Sequence, residues 1–241
     1  MSESKQLKPR KKRIQPLRAW RAIRELIANP DDTAKVFEII DALSGNSGER
    51  QFQRFRATPT GERILREKRN LLETLDNREY LRSLPPGTLG RAYYEFMERE
   101  QISGKGLADA SMVARRDDIG PERRLFADRL RDMHDLWHVA TGYGRDLVGE
   151  AALLAFSYAQ TRNPGVGFIV AVAWLRAKGD GAFARPVIVE GYKRGRRAAW
   201  LPAADWEHLL TLPLERVRAE LNLGTPPQYI PIRSAGAPAV A

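Results

Sequence analysis

Two of the chain's three histidines stand four residues apart, in the stretch HDLWHVATGYGRDLVGE from His134 to Glu150. At this spacing both rings leave the same face of a helix, about one turn apart. A helix presents two imidazoles to one metal ion in this way, as in H-E-x-x-H sites. Neutral imidazole is a good ligand for Zn²⁺ or Fe²⁺, and a nearby carboxylate completes a set that still leaves open positions. Glu150 is the candidate carboxylate. On one unbroken helix it would lie roughly 18 Å beyond His138, too far to share an ion. Gly142-Tyr143-Gly144 interrupts the pattern, and glycine at a helix end permits left-handed backbone and a reversal. The spacing therefore predicts a helix–turn–helix clasp, with Glu150 in the first or second turn of the second helix and folded back towards the His face. Asp135, about 100° round the helix from His134, is a candidate ligand, neighbouring positioner or proton carrier. His208, in AADWEHLL, reads as structural.

The elements that must hold this clasp read as helices. DDTAKVFEIIDALSG has an Asp or Thr start and a glycine stop. PTGERILREKRNLLETLDN sets Ile64, Leu65, Leu71, Leu72 and Leu75 among charges. A helix after the Pro85-Pro86-Gly87 turn repeats Tyr93, Phe96 and Met97, and PERRLFADRLRDMHDLWHVATG repeats Leu125, Leu130, Met133 and Trp137. DLVGEAALLAFSYAQTRNP and GVGFIVAVAWLRAKGD follow. Val166–Leu175 is about half the apolar length a membrane span needs, so it reads as a buried helix, and with LLAFSYA it is a candidate lining for a lipid tunnel. GAFARPVIVEGYKRGRRAAWLP contains the β-branched run PVIVE, the segment least decided by pattern; its Arg196 and Arg197 are candidates for an anionic head group. AADWEHLL and PLERVRAELNLG close the body. Strand-type alternation is almost absent and no repeat appears, which predicts a single all-α domain.

Composition narrows the remaining classes. The 241 residues contain no cysteine, which excludes disulfides, Cys-ligated zinc and iron–sulfur clusters and fits a reducing compartment. No charged-then-apolar leader pattern is read at the start. Of the formal charge of +10, residues 1–30 carry +7 and the rest only +3, so the basicity belongs mostly to an arm. The expected organisation is a disordered basic arm over 1–16, a helical domain over 17–230 and a flexible Pro/Ala-rich tail over 231–241. PLRAWRAIRELIANP places Ala19, Trp20, Ala22, Ile23, Leu26 and Ile27 on one arc, opposite Arg18, Arg21, Arg24 and Glu25. It reads as a first helix covering the core with an exposed basic side, or as a basic amphipathic helix on an anionic membrane. No Gly-rich nucleotide loop, phosphate loop or G-x-S-x-G elbow is present. PRKKR stands beside nothing that resembles a base-reading element, so no nucleic-acid partner is expected.

With HDxxH followed by eleven residues and then Glu, the chain resembles the coenzyme Q biosynthesis protein four family. AYYEFMERE, the HDLWHVATGYGRDLVGEAALLAF stretch, an AQ-containing stretch, GRRAAWL and PLERVRAELNL follow the family's order of landmarks over roughly 31–229. The resemblance implies an all-helical, usually dimeric protein, peripheral on a membrane and working beside other ubiquinone-biosynthesis proteins. It implies a metal site at His134, Asp135, His138 and Glu150, with zinc as the expected metal and iron as the alternative. The implied activity is removal of the ring C1 carboxylate from a polyprenylated 4-hydroxybenzoate or related quinone intermediate, with or without hydroxylation at that carbon, with Asp135 or Glu150 moving the proton. The alternative is a non-catalytic lipid-binding scaffold that organises the pathway's enzymes. The family's transit region is replaced here by the PRKKR arm, which sets the expectation of a bacterial protein in the cytoplasm, on the inner face of the membrane.

Overall fold

A computed structural model describes residues 13–114 and 119–233. Residues 1–12 of the expected arm and 234–241 of the expected tail lie outside them. Fourteen α-helices occur among the described residues: α1 (Pro16–Ala28), α2 (Thr33–Leu43), α3 (Ser47–Arg56), α4 (Pro59–Glu67), α5 (Leu71–Asp76), α6 (Arg78–Ser83), α7 (Leu89–Glu100), α8 (Gly104–Ala110), α9 (Pro121–Thr141), α10 (Leu147–Thr161), α11 (Pro164–Arg176), α12 (Ala184–Arg197), α13 (Trp206–Leu209) and α14 (Leu214–Glu220). The only β-type pairing among these residues is a lone bridge between Thr88 and Pro213. The all-α expectation holds.

The main core forms round α9. Its Met133, Leu136, Trp137 and Ala140 are buried against α5, α6 and α7 on one side, and against Ala152, Leu153 and Phe156 of α10, with Trp206, Leu210 and Val217, on the other. Pro121 stands at the start of α9, where its missing N–H breaks no helical bond. The wholly buried Arg129 is held by two hydrogen bonds, of 2.6 and 2.5 Å, to the Glu207 carboxylate. A paired, doubly bonded guanidinium is the form in which a buried charge is tolerated.

α10 is clamped to α12 by two glycines one turn apart. A Cβ on Gly191 would stand 2.3 Å from the Ala152 carbonyl oxygen, and one on Gly195 would stand 2.5 Å from that of Phe156. The backbones meet directly, as small residues allow. This contact also settles the PVIVE run, which is helical within α12. Pro186 lies in the helix's first turn, where no intrahelical amide bond is lost.

α1 and α2 pack as a pair on α11 through Ala19, Ala22, Ile23, Ile39 and Ile169. The apolar arc read on α1 is split: Trp20 is 57% exposed and Leu17 76%, so the helix covers the core with one face and turns a second apolar face outwards. The expected PTGERILREKRNLLETLDN helix is two. Lys68 takes left-handed backbone (φ 52°) at the end of α4, and the Asn70 side chain accepts from Leu72 N–H to start α5.

Candidate metal centre

The clasp is built from the backbone outwards. α9 ends at Gly142, whose φ of +80° is left-handed backbone, and the Gly142 N–H closes on the His138 carbonyl at 2.9 Å. Tyr143 and Gly144 carry the chain round. Asp146 starts α10, its Oδ1 accepting from the amides of Val148 (3.0 Å) and Gly149 (3.1 Å). That cap satisfies two amides that the first helical turn leaves without partners. Glu150 is then the fourth residue of α10, and the reversal brings its carboxylate to 3.3 Å from His138 Nε2 and 3.7 Å from His134 Nε2.

His134, His138 and Glu150 each offer a ligand atom, all within 4.8 Å of one another. The two imidazole Nε2 atoms stand 3.3 Å apart. Donors about 2.0–2.2 Å from one tetrahedral ion stand roughly 3.3–3.6 Å from each other, and the three separations cluster about that spacing. The tautomer fits as well. His138 Nδ1 lies 2.9 Å from the Tyr143 carbonyl oxygen, which can only accept, so Nδ1 carries the hydrogen. In the neutral ring Nε2 therefore turns its lone pair into the cluster, the arrangement by which metal-binding histidines are oriented. Phe96 of α7 stacks on the His138 ring, with centroids 5.8 Å apart.

The electrostatics favour a cation at this point. Burial alone would raise the Glu150 carboxyl, but the facing His138 and His134 imidazoles hold it well below the usual carboxylate range. Burial would likewise lower His138, yet Glu150, with Asp135 and the Tyr143 carbonyl behind it, raises it. The facing imidazoles and carboxylate thus favour positive charge between them, which a divalent cation would supply. The site is open on one side: the side chains of His134 and Glu150 are 27% and 31% exposed, whereas His138 is buried.

Of the four residues singled out as ligands, the structure brings together His134, His138 and Glu150. Asp135 is not among the converging groups. It is buried, pointing round the helix from the pair, and its charge acts on the phenol of Tyr93 and on His138. Sequence reasoning missed Arg145, whose Nε lies 3.8 Å from Glu150 Oε1, and Phe96. It also passed over Arg194 for its neighbours. Arg194 is buried; its Nη2 donates to the carbonyls of Thr141 (2.9 Å), Leu223 (3.0 Å) and Thr225 (3.2 Å), and its guanidinium lies over the Tyr143 ring. Arg197 pairs with Glu190, and the Tyr192 hydroxyl accepts from Arg162.

A second feature lies further along α10. An open, almost wholly apolar groove of about 420 Å³ runs between α10, α11 and α12, lined by Ala155, Tyr158, Val170, Trp174, Ile188 and Tyr192 among others. Arg162 lies over the Tyr158 and Tyr192 rings at one end and Arg185 over Trp174. LLAFSYA and VGFIVAVAWL thus contribute to one apolar concavity, which is a surface groove rather than a tunnel.

Similarity to other proteins agrees with this architecture. A Nostoc punctiforme protein of known crystal structure shares the fold, with a TM-score of 0.64 over 88% of this chain and 100% of that one, at 21% identity. "Ubiquinone biosynthesis protein coq-4, mitochondrial" of Neurospora crassa is 36% identical over 176 residues, 73% of this chain and 49% of its own. The Podospora anserina protein of similar name is 33% identical over 70% of this chain and 55% of its own. The chain thus spans about half the length of these curated relatives. Both are fungal proteins named as mitochondrial, which overturns the expectation of a bacterial protein on the cytoplasmic face of a membrane. That expectation rested on the basic arm, and a basic, acid-poor segment is equally the composition of mitochondrial leaders. Residues 16–227 match the family described as "Coenzyme Q (ubiquinone) biosynthesis protein Coq4", and the chain belongs to that family.

Proposed function

We propose that the chain acts in ubiquinone biosynthesis as a metal-dependent enzyme that removes the C1 carboxylate of a polyprenylated 4-hydroxybenzoate intermediate. The observation that carries this reading is the convergence of His134, His138 and Glu150, with His138 Nδ1 committed to the Tyr143 carbonyl so that Nε2 faces the other two. These three would hold the ion, zinc by the resemblance and iron as the alternative. A bound divalent cation supplies Lewis acidity towards the substrate carboxylate or a water. The phenol oxygen para to C1 pushes electron density to that carbon. A proton added at C1 takes that density, the bond to the carboxylate then breaks, CO₂ leaves, and the electron pair of that bond restores the aromatic ring; in the hydroxylating variant one oxygen atom of O₂ is added at C1 instead, and the other ends as water with two electrons from an external reductant. Glu150, on the solvent-open side, is placed to pass the proton. Asp135 supports positive charge on His138 from behind, a role through the ring rather than as a ligand. The prenyl tail seats in the groove of α10, α11 and α12, which begins about 8 Å further along the helix that carries Glu150.

The half-open ligand set favours an enzyme over a scaffold with a closed structural metal. Peripheral membrane attachment, a homodimer and contact with other pathway proteins complete the proposal. The outward Leu17 and Trp20 beside Arg21 and Arg24 support the first. The test is to incubate purified protein with a prenylated 4-hydroxybenzoate in vesicles and measure CO₂ and product with and without O₂, after chelation and after adding back Zn²⁺ or Fe²⁺. Chelation, His138→Ala and Glu150→Gln are each expected to abolish CO₂ release. Full activity in the His138→Ala protein would overturn the reading.

A further inference from the structure

Residues 225–233, beyond the last helix, lie across the α9–α10 turn as a strap. Tyr229 is its centre. Its hydroxyl accepts from Gly144 N–H (2.8 Å) and donates to Asp146 Oδ2 (2.8 Å). Three residues on, the Ile232 carbonyl accepts from Leu147 N–H (2.7 Å), and Ile232 N–H donates to Asp146 Oδ1 (3.2 Å). The carboxylate that caps α10 is thus the one that the strap engages, with both its oxygens committed. The turn is shaped to receive it. A Cβ on Gly149 would stand 2.5 Å from the Tyr229 hydroxyl, one on Gly144 3.3 Å from it, and one on Gly142 2.6 Å from Pro226 Cβ. At Gly142 the strap is the nearest obstacle; at Gly144 and Gly149 it adds to closer contacts within the turn itself, with Asp146 Oδ2 at 2.8 Å and the Gly144 carbonyl oxygen at 2.2 Å.

We propose that the strap is a positioning element of the metal centre, with Tyr229 as the latch that fixes the turn and so the place of Glu150. Tyr229 touches none of the three ligands. It acts through Asp146, which sets the start and direction of α10, and through Gly144, which sets the end of the reversal. Glu150 lies four residues past Asp146, so a loosened cap swings its carboxylate away from His138. The effect on metal affinity rests on reading His134, His138 and Glu150 as ligands; the effect on the turn does not.

The test uses the full chain with Tyr229→Phe, which keeps the ring and removes the hydroxyl, and Ile232→Pro, which removes the strap's amide donor to Asp146 together with the Ile232 side chain and fixes the local backbone. Hydrogen exchange is read on the metal-free proteins at Val148, Gly149 and Glu150, and Zn²⁺ or Co²⁺ affinity is measured by competition with a chelator. Circular dichroism confirms that each variant is folded. The expected result is faster exchange at these amides in both variants and a metal affinity about tenfold weaker in Tyr229→Phe, the range found when a partner behind a ligand is removed. Unchanged exchange and unchanged affinity would overturn the latch. Faster exchange in a protein whose wild type binds neither cation would support the latch and overturn the metal reading. Unchanged exchange with such a wild type would overturn both.

Discussion

Replacing Gly142 with alanine tests the geometry of the clasp directly. Two costs add. At φ +80° an L residue is in left-handed backbone, about 1–2 kcal/mol less favourable than for glycine. The new Cβ would also stand 2.6 Å from Pro226 Cβ and 3.2 Å from its Cα. Ordinary contact begins near 3.4 Å, so the strap or the turn must move by close to 1 Å; overpacking of this kind costs about 1–3 kcal/mol. The sum is about 2–5 kcal/mol, and at roughly 2–4 °C per kcal/mol for a chain of this length the melting midpoint falls by about 4–20 °C. Gly87 separates the two costs. It has φ +84° with nothing within 4 Å of its would-be Cβ, so Gly87→Ala carries the backbone cost alone. Calorimetry on both variants, with Zn²⁺ titration, should show the larger drop in Gly142→Ala, and weakened metal binding only there. Equal drops would mean that the Pro226 contact carries no energy. A Gly142→Ala protein that melts and binds like wild type would refute the argument for the bend.

Two further outcomes follow from paired charges, Arg194 buried and Asp205 partly buried. Arg194→Met leaves the carbonyls of Thr141, Leu223 and Thr225 without their donor; a loss of about 2–4 kcal/mol in denaturant unfolding is expected, and a loss under 0.5 would show that water replaces the guanidinium. At Asp205, burial would raise the carboxyl, but Arg69 and Arg63, at 2.9 and 2.5 Å, hold it below its ordinary value. A depressed folded-state pKa contributes stability that is present above the unfolded value near 4 and lost as pH falls through the folded one. Asp205→Asn should therefore be destabilised by about 1 kcal/mol at pH 7, with the gap closing below pH 4; a gap constant from pH 7 to pH 3 would contradict the assignment.

The convergence of His134, His138 and Glu150 was legible because its signals are local: two histidines at helical spacing, glycines to break the helix, and a carboxylate at a distance only a reversal could use. Asp135, left open between ligand, positioner and proton carrier, lies outside the converging group. Adjacency in sequence is a rotation of about 100° on a helix, and the rotation carried it into the core beside Tyr93. α3 was passed over because its apolar content is Phe52 and Phe55 in a strongly charged decapeptide; both rings are buried against Phe126 only after α9 arrives. The PVIVE run was undecided because β-branched residues fit either state, and the contact of Gly191 with Ala152, far off in sequence, decides it. The strap was invisible for the same reason: Thr225–Arg233 has no periodicity, and its partners are 80 residues upstream.

The glycine clamp between α10 and α12 has a consequence for how this protein can change. One end of α10 holds Glu150, and the apolar groove begins further along the same rod. With no room for even a methyl at Gly191 or Gly195, the two main chains touch there, and a side chain at either glycine would force them apart. The span from Glu150 to the groove is therefore set by main chain, like the jaws of a caliper. Loops can diverge freely around it, while a change in that span would need matched replacements on both helices at once.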